Sequence, residues 1–190
     1  MNIATKITLF RILLVPLFLI FILIDTIFTR ILALLVFIFG GITDTIDGMI
    51  ARKKNMITKI GSSLDPLADK LLITTALISF LSFKELEIPS WTVIVIVVRD
   101  YIITWVRSIE LKTSMPADKM AKFKTFLQNI AVISILLILI FKDYMLYFNS
   151  YVLRIYPKII MILVSFFTLV SGLIYLIKYK KIIEEHFNKS

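Results

Sequence analysis

Asp44-Thr45-Ile46-Asp47-Gly48-Met49-Ile50-Ala51-Arg52, followed after eight intervening residues by Gly61-Ser62-Ser63-Leu64-Asp65-Pro66-Leu67-Ala68-Asp69, is the stretch on which the reading of this chain turns. It sets four carboxylates between two strongly apolar segments. A carboxylate inside a segment apolar enough to enter a bilayer is costly and requires a charge partner, and a bound cation is the obvious one. Asp44 and Asp47 are three residues apart and Asp65 and Asp69 four apart, so each pair shares one face of a helix. The basic linker Lys53 to Ser63 joins the two segments on one side, which places both pairs at similar depth, able to converge on one site.

Outward from this stretch the chain is apolar almost throughout. Its 190 residues are 59% hydrophobic with a mean hydropathy of +0.93, far above a water-soluble domain of this length. Six apolar stretches, roughly 7 to 25, 31 to 50, 65 to 83, 89 to 106, 126 to 141 and 152 to 177, each approach the ~20 residues that a spanning helix needs. The expectation is an all-α polytopic membrane protein with six transmembrane helices and an N-terminal interfacial segment, forming one domain over residues 1–190.

The 22 Lys and Arg against 13 Asp and Glu could suggest nucleic acid, but no soluble basic patch with interleaved aromatics accompanies them. Topology explains the excess better. With a cytoplasmic N-terminus and six spans, Arg52-Lys53-Lys54, Lys119 to Lys124 and Lys178 to Lys181 all fall on the cytoplasmic side. The opposite side receives only Arg30, Lys84, Lys142, Arg154 and Lys158. By the positive-inside rule this makes a multi-pass protein of the cell membrane and sets the Asp44 to Asp69 stretch at its cytoplasmic face.

Several local features follow. Residues 1 to 11 mix basic and apolar positions as an interfacial lead-in does, and no small-residue cleavage site follows the run Ile12 to Ile24, so the first helix is retained. Gly40, Gly41 and Gly48 allow close approach of a neighbouring helix. Pro66 suits the first turn of a third span beginning near Asp65, where its missing N–H costs nothing. Trp91 and Trp105 bracket the fourth span as interface anchors, and an external loop rich in Tyr and Phe precedes the last span.

The chemistry follows from the acids. Two divalent cations in one site need several flanking or bridging carboxylates, and such a pair clamps both the attacking and the leaving oxygen of a phosphoryl displacement. Oxygen ligands without His or Cys favour Mg²⁺ or Mn²⁺ over Zn²⁺, and the chain has no Cys at all. Arg52 lies one turn beyond Asp47 and Gly48, where it can neutralise phosphate charge, and Gly48 and Ala51 leave room for a flat base or ribose. Any single Asp is more simply a helix cap or an ion pair, and Asp65 before Pro66 would make a good N-cap. Four acids spaced three and four apart around a basic linker are poorly explained that way. EF-hand and P-loop patterns are absent. His186, in a charged tail, reads as solvated, and Lys70 beside Asp69 as a plain ion-pair partner, a modulator of that acid or a partner for lipid phosphate.

The pattern formed by Asp44, Asp47, Gly48, Ala51, Arg52, Gly61, Asp65 and Asp69 resembles the signature of the CDP-alcohol phosphotransferases, at eight positions over 26 residues. That resemblance implies two divalent cations held by the aspartates, with Asp44, Asp47 and Asp65 as main ligands and Asp69 as the base that deprotonates the acceptor hydroxyl. It also implies a CDP moiety held by Gly48, Ala51, Arg52 and Gly61, and a homodimer. Thr8, Arg11 and Pro16, the pair Arg99-Asp100 with Arg107, and Lys122-x-Lys124-Thr125-x-x-Gln128 are similar to the branch that joins CDP-diacylglycerol to glycerol 3-phosphate. Arg99, Arg107, Lys122 and Lys124 would supply the cations that a phosphorylated acceptor requires. Phosphatidylglycerol, inositol phosphate and serine remain as other acceptors. A small cation transporter is the reading from a different class; it requires polar residues continuing across the membrane, and spans two and three are apolar beyond the acids.

Overall fold

The computed structural model describes residues 3–54, 59–110, 119–148 and 150–187, with side chains described over 9–43, 70–106, 123–145 and 150–178. Every long element among them is helical: α1 (Ile3–Ile24), α2 (Ile27–Lys54), α3 (Lys59–Phe80), α4 (Ser90–Glu110), α5 (Lys119–Ile140), α6 (Lys142–Phe148) and α7 (Ser150–Phe187), with a 3-10 turn at Lys84–Leu86. Each of the six apolar stretches forms the body of one long helix. Phe123–Ile140 in α5 and Ser150–Lys178 in α7 are long and apolar enough to cross a bilayer. Leu9–Ile24, Ile27–Thr43 and Lys70–Phe80 are shorter apolar runs among the described residues.

Apolar side chains fill the interior and also cover the exterior. Leu13, Phe28 and Ile177 expose 67%, 67% and 74% of their surface, and large apolar side chains face outward on every long helix. Arg11, Arg30, Asp100, Lys124, Gln128 and Lys142 are buried instead. Water would penalise a continuous apolar exterior of this kind, whereas hydrocarbon accommodates it and drives polar groups toward one another inside the bundle. The chain is a membrane protein.

Two packing groups share the core. α1 lies against α2 and α3; α4 and α5 lie against α7; and α2 meets α5 between them. Phe18 and Ile22 of α1, Phe37 of α2, Leu77 and Phe80 of α3 and Ile135 and Leu139 of α5 are sealed from the surroundings in this interior. Gly40 fulfils its expected part, since a Cβ there would stand 2.5 Å from the Leu72 side chain of α3. Among the described residues nothing lies within 4 Å of the missing Cβ of Gly41, and Gly48 is outside the described side chains.

The helix ends differ from expectation in ways that share one cause: polarity marks where a helix leaves hydrocarbon, not where its backbone stops. α2 continues to Lys54 and α3 already begins at Lys59, so most of the supposed linker is helical. Pro66 therefore lies two turns inside α3 rather than in its first turn, and Asp65 is an interior residue rather than an N-cap. The basic N-terminal segment is continuous with α1, which contains Pro16. The aromatic external loop forms the short helix α6, and α7 extends through the charged tail to Phe187.

The end of the bundle formed by the α1–α2 and α5–α6 junctions is fastened by charge. Asp25 takes a left-handed conformation, φ 56°, in the two-residue break between α1 and α2. Arg30 donates from Nε to Asp25 Oδ1 at 2.8 Å, from Nη1 to Asp143 Oδ2 at 2.9 Å and to the Leu139 carbonyl at 2.9 Å, and from Nη2 to the Asp25 carbonyl at 2.9 Å. The bond to Leu139 satisfies a carbonyl that the end of α5 leaves without an intrahelical donor. Lys142 donates to Asp25 Oδ2 at 2.5 Å, pairs with Glu85 at 3.5 Å and lies over the Phe83 ring. Two of the five basic residues assigned to this side are thus neutralised inside the fold.

Candidate active site

The two aspartate pairs lie on helices that share one end. Asp47 and Asp44 stand seven and ten residues before the last residue of α2, and Asp65 and Asp69 stand six and ten residues after the first residue of α3. At 1.5 Å per residue, both pairs sit about 9–15 Å from the α2–α3 connection. α2 reaches into the linker as far as Lys54 and α3 begins at Lys59, so the two pairs stand at similar distances along their helices from the connection. The side chains of Asp44, Asp47, Gly48, Ala51, Arg52, Gly61, Asp65 and Asp69 lie outside the described ones. Among the described residues no group of three or more His, Cys, Asp or Glu could hold a metal ion.

Immediately after Asp69 the described side chains resume, and they lead into a polar cluster inside the apolar bundle. Lys70 donates from Nζ to the Asp100 carbonyl of α4 at 2.7 Å and also to Thr104 Oγ1. Thr104 Oγ1 in turn donates to the same carbonyl at 2.7 Å. The Asp100 carboxylate receives three further donors: Lys124 Nζ on Oδ1, Arg99 Nη1 on Oδ1 at 3.2 Å and Gln128 Nε2 on Oδ2 at 3.1 Å. Arg99 Nη2 reaches across to Ser171 Oγ of α7 at 2.6 Å.

One dipeptide of α4 therefore contacts three other helices. Successive residues on a helix point about 100° apart, which lets Arg99 turn to α7 while Asp100 turns to α5. Gly172 makes the first contact possible: a Cβ there would stand 2.8 Å from Arg99 Nε and 3.0 Å from its Cγ. Asp100 is 8% exposed and Lys124 6%. A buried carboxylate persists only when paired and hydrogen-bonded, and this one is. Arg99 Nε and Thr168 Oγ1 are buried with no hydrogen-bond partner among the described residues.

Four candidate acceptor residues were expected from sequence: Arg99, Arg107, Lys122 and Lys124. Arg99 and Lys124 meet on Asp100. Burial of Lys124 separates it from a basic residue placed merely by topology, because a solvated positive-inside lysine has no reason to enter the core. Arg107 and Lys122 lie on the last turn of α4 and the first turn of α5, with side chains outside the described ones. Sequence reasoning left Ser171 and Thr104 unmentioned, since a hydroxyl on an apolar helix carries no sign of which neighbour it meets. It named Lys70 without its partner, which is 30 residues away on another helix.

Residues 1–170 match the CDP-alcohol phosphatidyltransferase family. A CDP-diacylglycerol–glycerol-3-phosphate 3-phosphatidyltransferase of Bacillus subtilis (strain 168) is 39% identical over 150 residues, covering 72% of this chain and 77% of the relative. Relatives with the same name from Rickettsia felis, 34% identical over 183 residues and covering 95% and 96% of the two chains, and from Pectobacterium atrosepticum, 32% identical over 142 residues and covering 71% and 76%, extend the similarity.

Proposed function

The chain belongs to the CDP-alcohol phosphatidyltransferase family, and from that premise we propose that it transfers a phosphatidyl group from CDP-diacylglycerol to sn-glycerol 3-phosphate, forming phosphatidylglycerophosphate and CMP. It is a transferase of phospholipid biosynthesis. For the acceptor, the observation that carries the reading is the buried polar cluster beginning at Lys70, the residue after Asp69, in which Arg99 and Lys124 meet on the Asp100 carboxylate and Lys70 donates to the Asp100 carbonyl. A phosphorylated acceptor finds there the cations it requires.

The roles divide along the helices. Asp44 and Asp47 of α2 and Asp65 of α3 are the ligands we assign to two divalent cations, Mg²⁺ or Mn²⁺, with Asp69 contributing. The donor set fits such ions: four carboxylates from two helix ends at matched depth, with neither Cys nor His among them. Bound cations would neutralise the diphosphate and the leaving CMP. Gly48 and Ala51 leave space along α2 for the cytidine, and Arg52 and Gly61 bind the CDP phosphates. Asp69 removes the proton of the acceptor hydroxyl. Arg99, Arg107, Lys122 and Lys124 hold the acceptor phosphate, so that most of the rate gain comes from positioning and charge neutralisation.

Six spans, with the α2–α3 connection facing the cytoplasm, complete the proposal. Diacyl tails of the donor then lie in hydrocarbon beside α2 while its diphosphate reaches the acids at the membrane surface. Purified protein offered CDP-diacylglycerol and Mg²⁺ with glycerol 3-phosphate, phosphatidylglycerol, inositol phosphate or serine in turn should release CMP only with glycerol 3-phosphate. Preference for another acceptor would replace this reading, and metal-dependent CMP release of any kind would exclude ion transport as the sole function.

A further inference from the structure

We propose that Asp100 is the positioning residue of the acceptor half of the site: its carboxylate holds Arg99, Lys124 and Gln128 where they bind a phosphomonoester dianion, and its carbonyl ties Lys70 to α4. The proposal deepens the acceptor assignment above and rests on it.

Three observations lead here. First, Asp100 is the only acid in the described cluster, and every basic side chain in it is bonded to Asp100, through carboxylate or carbonyl. Second, these partners come from α3, α4 and α5, and Arg99 carries the connection on to α7 through Ser171. Third, the Asp100 carboxylate pairs with two cations, Arg99 and Lys124, so this ion pair keeps a net positive charge that suits the oxygens of a phosphate monoester.

Lys and Arg side chains are long and lose much freedom when fixed. A carboxylate that fixes them before the ligand arrives removes that ordering cost from the binding step. It also keeps two like charges together in an apolar interior, where they would otherwise separate or draw in water. Asp100 does not touch the acceptor in this scheme; it acts through the cations. Gln128 completes the arrangement by occupying Oδ2, which leaves Oδ1 to Arg99 and Lys124.

Steady-state kinetics of the full-length enzyme in lipid micelles, varying each substrate separately, tests this. Asp100→Asn should raise KM for glycerol 3-phosphate about tenfold or more while KM for CDP-diacylglycerol changes by less than about twofold. Asp100→Glu, which restores the charge, should recover the acceptor KM to within about threefold of the parent. Gln128→Leu, which introduces no unpaired charge, should raise the acceptor KM about threefold and keeps the test decisive if Asp100→Asn does not fold. An unchanged acceptor KM overturns the proposal. So does a lowered one, because Asp100 would then be a competing anion. Parallel loss for both substrates together with a lower unfolding temperature reduces Asp100 to a structural ion pair, and failure of Asp100→Glu to recover has the same force. Should the parent enzyme release no CMP with glycerol 3-phosphate, the acceptor assignment fails on its own. Calorimetric titration of parent and Asp100→Asn with inorganic phosphate still reads the cluster, and equal affinity would overturn the positioning role.

Discussion

Asp69 and Lys70 are adjacent in sequence on α3, and Lys70 ties that helix to α4. Lys70 fixes α3 to α4 at the residue following the proposed base, through the Asp100 carbonyl and Thr104. Asp69→Asn should therefore keep the fold and CDP-diacylglycerol binding while CMP release falls by about 10²–10⁴, the usual contribution of a positioned acid or base. Filter binding of labelled donor beside the turnover assay checks both halves, and near-normal turnover would remove Asp69 from its role. Gly172 offers an independent residue-scale test. Gly172→Ala puts a methyl 2.8 Å from Arg99 Nε, so the guanidinium must shift away from Ser171. Acceptor KM should rise several-fold, with Ser171→Ala producing a smaller change in the same direction.

Among the helices, the ionic fastening around Asp25 and Arg30 is the clearest case of an arrangement that serves architecture and not chemistry. Removing one partner of a buried pair leaves the other uncompensated, so Arg30→Met should cost about 3 kcal/mol, the lower end of the usual range because Asp143 is mostly exposed. Thermal unfolding in detergent measures the loss, and KM values for both substrates should remain unchanged below the transition. The sequence made the helices legible because apolar stretches of about 20 residues have one physical reading in a bilayer. It made the aspartate motif legible because acids in such a setting demand an explanation. Helix ends were not legible: Pro66 and the polar linker looked like a break, yet α2 is still helical at Lys54 and α3 already helical at Lys59, because a helix satisfies its own backbone hydrogen bonds in water as in lipid. Nor was the Arg30 network, since its members lie at positions 25, 30, 85, 142 and 143 and meet only after α2 and α5 pack. One clue was present, in that Arg30 and Lys142 stand on the side where basic residues are scarce.

Across the whole molecule, topology and metal dependence are the properties to measure. The chain contains no Cys, so single cysteines can be introduced without background. A cysteine at Asn55 should react with a membrane-impermeant maleimide only in inverted vesicles, and one at Glu87 only in right-side-out cells; the reverse pattern would overturn the cytoplasmic placement of the acids. Chelation with EDTA should abolish CMP release, with Mg²⁺ or Mn²⁺ restoring it and Zn²⁺ failing to do so.

The meeting of α3, α4, α5 and α7 at Arg99-Asp100 also bears on how this enzyme could change its substrate over evolutionary time. Positions 70, 99, 100, 124, 128 and 171 sit on four separate helices yet are joined by a handful of hydrogen bonds. A drift toward an uncharged alcohol by one substitution would strand a charge in hydrocarbon, so intermediates along such a path would be selected against. Relatives with other acceptors should consequently differ at these positions as a block, and grafting the whole block, rather than any member of it, is the route by which one acceptor preference could be exchanged for another.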